Sequence, residues 1–192
     1  LSPARKPTFS DFPPEIGAPQ VRLSEIAREL QKSGFQVSVL TAMPNYPKGK
    51  IFPGYSGLYR KDKLGEIRVY RTIIYPAQSA GFFKRLLNYF SFVLSSFITG
   101  LFLPKTDFIF TESPPIFLGL AGYCLSRIKN ARWIFNVADL WPASVVELGI
   151  IREQSLSYRI SACLESYFYR HAALITGQSR TILEYIRARF PL

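Results

Sequence analysis

Strand-like and helix-like patterns alternate along this chain, and that alternation predicts an α/β fold: a parallel sheet with helices on both faces. Two further observations bound the prediction. With 192 residues, 48% of them hydrophobic, the chain suits one globular domain or one half of a larger two-domain protein. It holds no internal repeat and no low-complexity tract.

The first segment, Leu1–Ser10, has two prolines and no β-branched run, so it reads as a weak strand. It is also too short and too polar for a secretory signal. Next, Asp11–Arg22 brings Gly17 to the mouth of a helix, with Pro19 in the first turn, where its missing N–H costs nothing. Leu23, Ile26, Ala27 and Leu30 recur at helical spacing, Glu25, Arg28, Glu29 and Lys32 fill the outer face, and Gly34 supplies the stop. A glycine loop at a helix N-terminus is a ready anion site, because free N–H groups and the helix dipole point the same way. A plain loop-to-helix corner is the alternative.

Phe35–Thr41 alternates as a strand and runs into a long loop rich in proline, glycine, tyrosine and lysine, through Tyr55. Ile67–Tyr75 is the next strand. Phe82–Leu103 is the most apolar stretch, with a narrow polar stripe of Asn88, Ser91, Ser95 and Thr99. Three readings stand for it: a buried domain helix, a helix lying in the membrane interface with Lys84 and Arg85 at the headgroups, and a membrane span. Asp107–Thr111 is a short buried strand. Ser113 then reads as a helix cap before Pro114 and Pro115. Phe117, Leu120, Ala121, Cys124 and Ile128 are the expected inner face of that helix. Arg132–Val137 is a strand. Ser155–His171 is a helix with a stripe of Leu156, Ile160, Cys163, Leu164, Tyr167 and Phe168. Ala173–Thr176 is a strand, and Ser179 opens a last helix through Arg189.

The net charge is +11, and its excess is local. Residues 48–85 hold nine basic side chains against Asp62 and Glu66. Such a patch favours phosphates on nucleic acid, on a small ligand or on an anionic membrane surface; a solvated basic face competes with all three. Nucleic acid rests on charge alone, since no recognised motif accompanies it. Cys124 and Cys163 lie far apart in apolar helical patterns and are expected to be buried thiols in a reducing compartment. With one histidine, His171, and no Cys/His cluster, no metal site is expected.

In parallel α/β sheets, ligands bind beyond the carboxyl ends of the strands. One strand delivers Met43, Asn45 and Tyr46 there, another Glu112 and Ser113, a third Asp139 and Trp141, a fourth Gly177 and Gln178. Asp139, a carboxylate directly after a buried strand and near a tryptophan, suits substrate hydroxyls. It suits equally the cap of the segment after Pro142.

Several blocks carry a resemblance: Phe12–Arg22, Leu40–Pro47, Ile51–Tyr55, Thr111–Pro115 and Asp139-Leu-Trp-Pro142. Together they resemble the N-terminal half of family 4 glycosyltransferases, in the bacterial branch of the colanic-acid and O-antigen amino-sugar type. The resemblance covers nearly the whole chain from Asp11 onward. It implies one half of a GT-B fold, a Rossmann-like domain whose first strand is degraded in residues 1–10. Residues 11–192 would be the acceptor-side domain, and the nucleotide-sugar domain would be absent, so a chain ending at Leu192 is expected to be a fragment that does not turn over alone. The implied chemistry is retaining transfer from a nucleotide diphosphate sugar to a lipid-linked acceptor, without a metal. Gly17, with Ala18 beside it, would approach the donor phosphates. Asn45, Tyr46, Ser113 and Trp141 would orient the acceptor. Asp139 is the expected catalytic group. Many relatives carry a histidine just before that aspartate; here Ala138 holds the position, so no histidine role carries over. The basic patch and residues 82–103 would hold the domain at the inner membrane surface from the cytoplasm. A non-catalytic acceptor-binding or membrane-docking half is the other reading.

Overall fold

A computed structural model describes residues 12, 14, 15, 17–77, 82–141 and 155–190. The weak strand expected in residues 1–10 and the segment after Pro142 lie outside them. The chain forms two compact units, divided between Thr99 and Gly100, and its architecture is the expected α/β, Rossmann-like one.

The first unit holds α1 (Ala18–Lys32), β1 (Ser38–Ala42), β2 (Tyr59–Leu64), β3 (Ile67–Thr72) and most of α2 (Phe82–Phe102). Its sheet has the order β1-β3-β2, with β1 parallel and β2 antiparallel to β3. β2 was not expected from the sequence. Four of its six residues are charged, which hides it from propensity. A two-residue turn, Gly65-Glu66, closes it onto β3, and Gly65 takes the positive φ (60°) such a turn needs at its first position. Phe12, Ala27, Ile67 and Val69 form the core here.

α1 stops as expected at Gly34, whose φ is 90°. The Phe35 N–H bonds the Leu30 carbonyl (3.1 Å) and the Gly34 N–H that of Gln31 (3.0 Å), a left-handed helix ending that only glycine adopts without penalty. The buried face of α1 differs from expectation: Gln20, Ser24 and Ala27 lie inside, and Leu30 is exposed.

α2 is turned the same way, polar side inward. Asn88 Nδ2 donates to the Tyr75 carbonyl (2.6 Å), the Tyr75 N–H donates to Ser91 Oγ (2.8 Å), and Ser95 Oγ donates to the Ile73 carbonyl (2.6 Å). Thr99 Oγ1 donates to Thr72 Oγ1 (2.9 Å). The strand expected through Tyr75 ends at Thr72: the Ile73 N–H still bonds the Leu58 carbonyl (3.1 Å), while the Ile73 carbonyl and both backbone groups of Tyr75 bond to helix side chains. Leu87, Phe90, Leu94, Ile98 and Leu101 form an exposed row on α2 at spacings of three and four, with Leu94 61% exposed. Lys84 is exposed, while the Arg85 side chain lies outside the described set. Among the described residues no helix is long and apolar enough to cross a membrane.

The second unit holds β4 (Phe108–Ser113), α3 (Leu118–Lys129), β5 (Arg132–Val137), α4 (Leu156–His171), β6 (Leu174–Gly177) and α5 (Arg180–Arg189). Its three strands are all parallel, in the order β4-β5-β6. Ile116, Trp133, Phe135, Val137, Phe168, Tyr169 and Ile186 make the core. Trp133 and Phe168 meet edge to face at 5.3 Å, a favourable aromatic geometry. Ser155 and Ser179 cap α4 and α5, each accepting a backbone N–H at 3.2 Å.

Four expectations need correction here. Ser113 does not cap a helix: it ends β4, buried, and α3 begins at Leu118 without a side-chain cap. Cys124 and Cys163 are exposed, not buried. The inner face of α3 is Gly119, Ala121, Gly122, Leu125 and Ser126. The reason is close approach: a Cβ on Gly122 would strike Thr111 Oγ1 and come within 2.9 Å of Trp133 Nε1, so small residues face the sheet and Cys124 and Ile128 turn outward. On α4 the buried set is Ser161, Glu165, Phe168 and Tyr169, which leaves Leu156 and Ile160 exposed.

Burial pushes the Glu165 carboxyl up to about 7, against the Tyr169 hydroxyl that donates to it at 3.1 Å and the positive charge of Arg189. A carboxyl whose folded pKa lies above its unfolded value favours the fold most below the unfolded pKa, about 4.5, and that contribution is lost as the pH rises through about 7. Part of the thermal stability therefore falls between mildly acidic and mildly alkaline buffer. Glu165→Gln keeps an acceptor for Tyr169 and should raise the unfolding temperature above neutral pH while flattening that slope, as read by calorimetry across the pH range.

Candidate functional site

The geometry of each unit starts from its parallel strands, because the loop after every parallel strand emerges at the carboxyl edge of the sheet. In the first unit that edge carries the loop after β1, next to the loop that opens α1. Gly17 caps α1 in an extended conformation (φ −177°) that any residue adopts. What glycine supplies is room: a Cβ would collide with the carboxamide of Gln20. That carboxamide is buried, and its Oε1 has no hydrogen-bond partner among the described residues. Ala18 beside it is exposed.

A buried carboxylate joins the two loops. Glu15 Oε1 accepts the backbone N–H groups of Asn45 and of Tyr46, the latter at 2.5 Å. Charge-assisted bonds of this kind are roughly twice as strong as neutral ones. Asn45 Nδ2 turns back to the Met43 carbonyl (3.0 Å), so part of that side chain serves the loop itself. The Tyr46 ring projects outward, 53% exposed. Glu15 was not among the residues singled out from the sequence. Its signal was its place, two residues before the helix-mouth glycine in a proline-rich turn.

In the second unit, Ser113 and Asp139 lie at the carboxyl ends of neighbouring strands, and the Ala138 N–H bonds the Ser113 carbonyl at 2.8 Å. Asp139 is exposed. Its Oδ1 accepts the Leu140 N–H (2.8 Å), and its carbonyl accepts the Trp141 N–H (3.0 Å). The aspartate thus caps its own turn and still presents a carboxylate outward. Trp141 Nε1 is buried without a partner among the described residues.

A polar row crosses the same strand ends. Thr176 Oγ1 donates to Asn136 Oδ1 (2.8 Å), and Asn136 Nδ2 donates to Glu112 Oε2 (3.0 Å). The register sets these three side by side on β6, β5 and β4. Asn136 and Thr176 were missed in the sequence. The available signal was one polar residue at the matching place in successive apolar strands. The row fixes the Glu112 carboxylate in orientation. Gly17, Asn45 and Tyr46 therefore share the carboxyl edge of the first unit, and Ser113, Asp139 and Trp141 that of the second. Among the described residues no three His, Cys, Asp or Glu side chains cluster as a metal site would.

Removing the Glu15 carboxylate tests the tie between loops. In Glu15→Ala, amide hydrogen exchange at Asn45 and Tyr46 should accelerate about tenfold or more, given about 1.5–3 kcal/mol for bonds to a charged acceptor. Exchange in β5 should not change.

Comparison with known proteins identifies the family. A family described as glycosyl transferase 4-like domain matches residues 17–191. The chain is also 28% identical, over 142 residues, to the putative colanic acid biosynthesis glycosyl transferase WcaI of Escherichia coli (strain K12). That alignment covers 73% of this chain and 35% of the relative, so the chain spans about one third of that protein. With a match over most of its length and strand-end loops arranged as described, the chain belongs to the glycosyl transferase 4-like domain family.

Proposed function

We propose that this chain is the acceptor-side domain of a retaining glycosyltransferase that moves a sugar from a nucleotide diphosphate sugar to a lipid-linked acceptor in surface polysaccharide synthesis. The observation that carries this reading is the strand-end placement of Gly17, Asn45, Tyr46, Ser113 and Asp139 in a chain of this family. The name of the E. coli relative, a putative colanic acid biosynthesis glycosyl transferase, supports glycosyl transfer in polysaccharide synthesis.

In this reading a nucleotide-binding half completes the enzyme. Negative charge gathers on the leaving diphosphate in the transition state. The free N–H groups at the start of α1 oppose that charge, and preorganised donors of this kind are worth about 3–4 kcal/mol each. Gly17 matters because a larger residue displaces Gln20 and closes the approach to those N–H groups. Asp139 orients an acceptor or donor hydroxyl with its outward carboxylate, while Tyr46 and Trp141 offer ring faces to a sugar. No metal enters this scheme, as the resemblance implies.

A second reading, a membrane-docking half, is favoured by a specific observation: the outward apolar row of α2. Soluble amphipathic helices turn such a row toward the core. Here the polar row faces in, Lys84 is exposed at the start, and the basic run of residues 48–85 lies in the same unit. An anionic bilayer at the cytoplasmic side complements both features. The two readings are compatible, since a lipid-linked acceptor is met at a membrane.

Two experiments follow. Joined to a nucleotide-binding half and assayed against a panel of nucleotide sugars, the protein should transfer one of them, and Gly17→Val and Asp139→Asn should each lower kcat/KM about a hundredfold with the fold intact. Absence of transfer with every donor would leave only the docking reading. Separately, the chain should sediment with phosphatidylglycerol vesicles at low salt, and Leu94→Asp should weaken that binding about tenfold or more. Failure of the unmodified chain to sediment would remove the membrane from the account.

A further inference from the structure

The hairpin of β2 and β3 holds a charge arrangement that the docking reading uses only as part of a diffuse basic run and the transferase reading does not use. Its register places Lys63 directly opposite Arg68 and Lys61 opposite Tyr70. Alternation along the strands then puts Lys61, Lys63, Arg68 and Tyr70 on one face. They line a groove of about 450 Å³, with Asp62 at its margin. Tyr70 is buried and forms the floor, stacked with Tyr59 at 6.3 Å between centroids. Lys61, Lys63 and Arg68 are exposed and make no ion pair among the described residues.

The other face of the hairpin shows what a purely structural solution looks like. Arg60 stands opposite Arg71, and there the repulsion is offset. Asp62 takes Arg71 Nε at 2.6 Å and Arg60 Nε at 2.9 Å. Both guanidinium groups also lie over the Tyr55 ring, at 4.6 and 5.2 Å. These bonds hold the Asp62 carboxyl below its ordinary range despite partial burial, so its charge is spoken for and does not neutralise the groove.

Like charges set directly opposite on paired strands destabilise the pairing. Protection of an edge strand from other chains explains charges in general on β2. It does not explain Lys63 across from Arg68, because an acidic residue in either place would guard the edge equally well and stabilise the hairpin. The uncompensated pair, with Lys61 beside it, is what an anion would relieve.

We propose that this groove is a binding site for a phosphate-bearing ligand, with Lys63 and Arg68 clasping the anion from opposite strands, Lys61 as a third donor and Tyr70 as the floor. Arg68 offers paired N–H donors suited to phosphate oxygens, and the two lysines act as point charges. The ligand is either a soluble phosphorylated molecule or a lipid phosphate headgroup, since both present the same oxygens. The site goes beyond the transferase reading: it needs neither a second domain nor α2.

The test follows thermal unfolding of the chain at constant ionic strength, with millimolar pyrophosphate in one arm and phosphatidate vesicles in the other. Three proteins are compared: the unmodified chain, Lys63→Glu, and Lys105→Glu as an equal charge change on an exposed loop residue of the second unit. Without ligand, Lys63→Glu should unfold at a higher temperature than the unmodified chain, because it turns a repelling pair into an attracting one. Pyrophosphate should raise the unfolding temperature of the unmodified chain and of Lys105→Glu, and leave Lys63→Glu unmoved. Arg68→Gln should lose the response as well. A Lys63-dependent response to pyrophosphate assigns a soluble phosphate ligand; one confined to vesicles assigns a lipid headgroup. No response in either arm, or an equal response in all three proteins, overturns the site. Vesicle binding that survives Lys63→Glu but not Leu94→Asp, together with no response to pyrophosphate, would overturn it too, while leaving docking through α2 in place.

Discussion

Parallel pairing is the constraint from which the rest of this molecule follows. Two strands running the same way cannot be joined by a tight turn, so the chain must cross back over the sheet, most often as a helix. Every loop leaving such a strand then emerges at one edge. β1 and β3 share such an edge in the first unit, where the antiparallel β2 rather than a helix brings the chain back, and β4, β5 and β6 share one in the second. Residues distant in sequence are thereby collected without any attraction between them. Ser113 and Asp139 are twenty-six positions apart, yet one backbone hydrogen bond separates their turns. The Glu112, Asn136 and Thr176 row has the same origin, because the register that pairs the backbones also aligns the side chains.

Much of this was legible in the sequence, because helix and strand periodicities are local properties. The glycine stop at Gly34, the opening of α5 at Ser179, and the order of the elements other than β2 needed only a few neighbouring residues. The inward faces of the helices were not legible, and one physical reason covers several of them. A helix packed close to a sheet places its smallest side chains at the contact, and the apolar stripe then rotates away. Gly119 and Gly122 do this on α3, where Phe168, Thr111 and Trp133 occupy the space a Cβ would need. Cys124 consequently lies outside, although periodicity put it within. β2 escaped notice because its residues are chosen for charge rather than propensity. Glu15 escaped because the bonds it makes are to backbone N–H groups thirty residues on. A composition pattern carries no trace of such partners.

α2 shows how an unmet backbone shapes a helix. Residues 73–75 run past the end of β3, where the Ile73 N–H bonds the Leu58 carbonyl and the other polar groups must still be satisfied. Asn88, Ser91 and Ser95 do this from one face of α2. Once those side chains face inward, the leucines and phenylalanines spaced between them have nowhere to go but out. The polar stripe visible in the sequence is thus what binds the helix to its own domain. The same bonds leave a long apolar row exposed, of the kind that monomeric proteins seldom leave without a use.

In the proposed docking, two forces act at different ranges. Lysine and arginine near an anionic surface contribute about 1 kcal/mol each and fade within a Debye length, about 10 Å at 0.1 M salt. Apolar side chains act only on contact, at about 25 cal/mol per Å² removed from water. The basic run would therefore govern approach and the α2 row would govern residence. A charge patch serving approach alone needs no particular register, and Lys48, Lys50 and Lys84 fit that role as exposed single charges. Lys63 against Arg68 does not fit it. Two cations fixed across a hairpin lose stability that a scattered pair would keep, and they add nothing to long-range attraction that scattered charges lack. The difference between a steering surface and a recognition site lies in that fixed geometry: on the other face Asp62 bonds the opposed Arg60 and Arg71, while Lys63 and Arg68 on the groove face make no ion pair among the described residues.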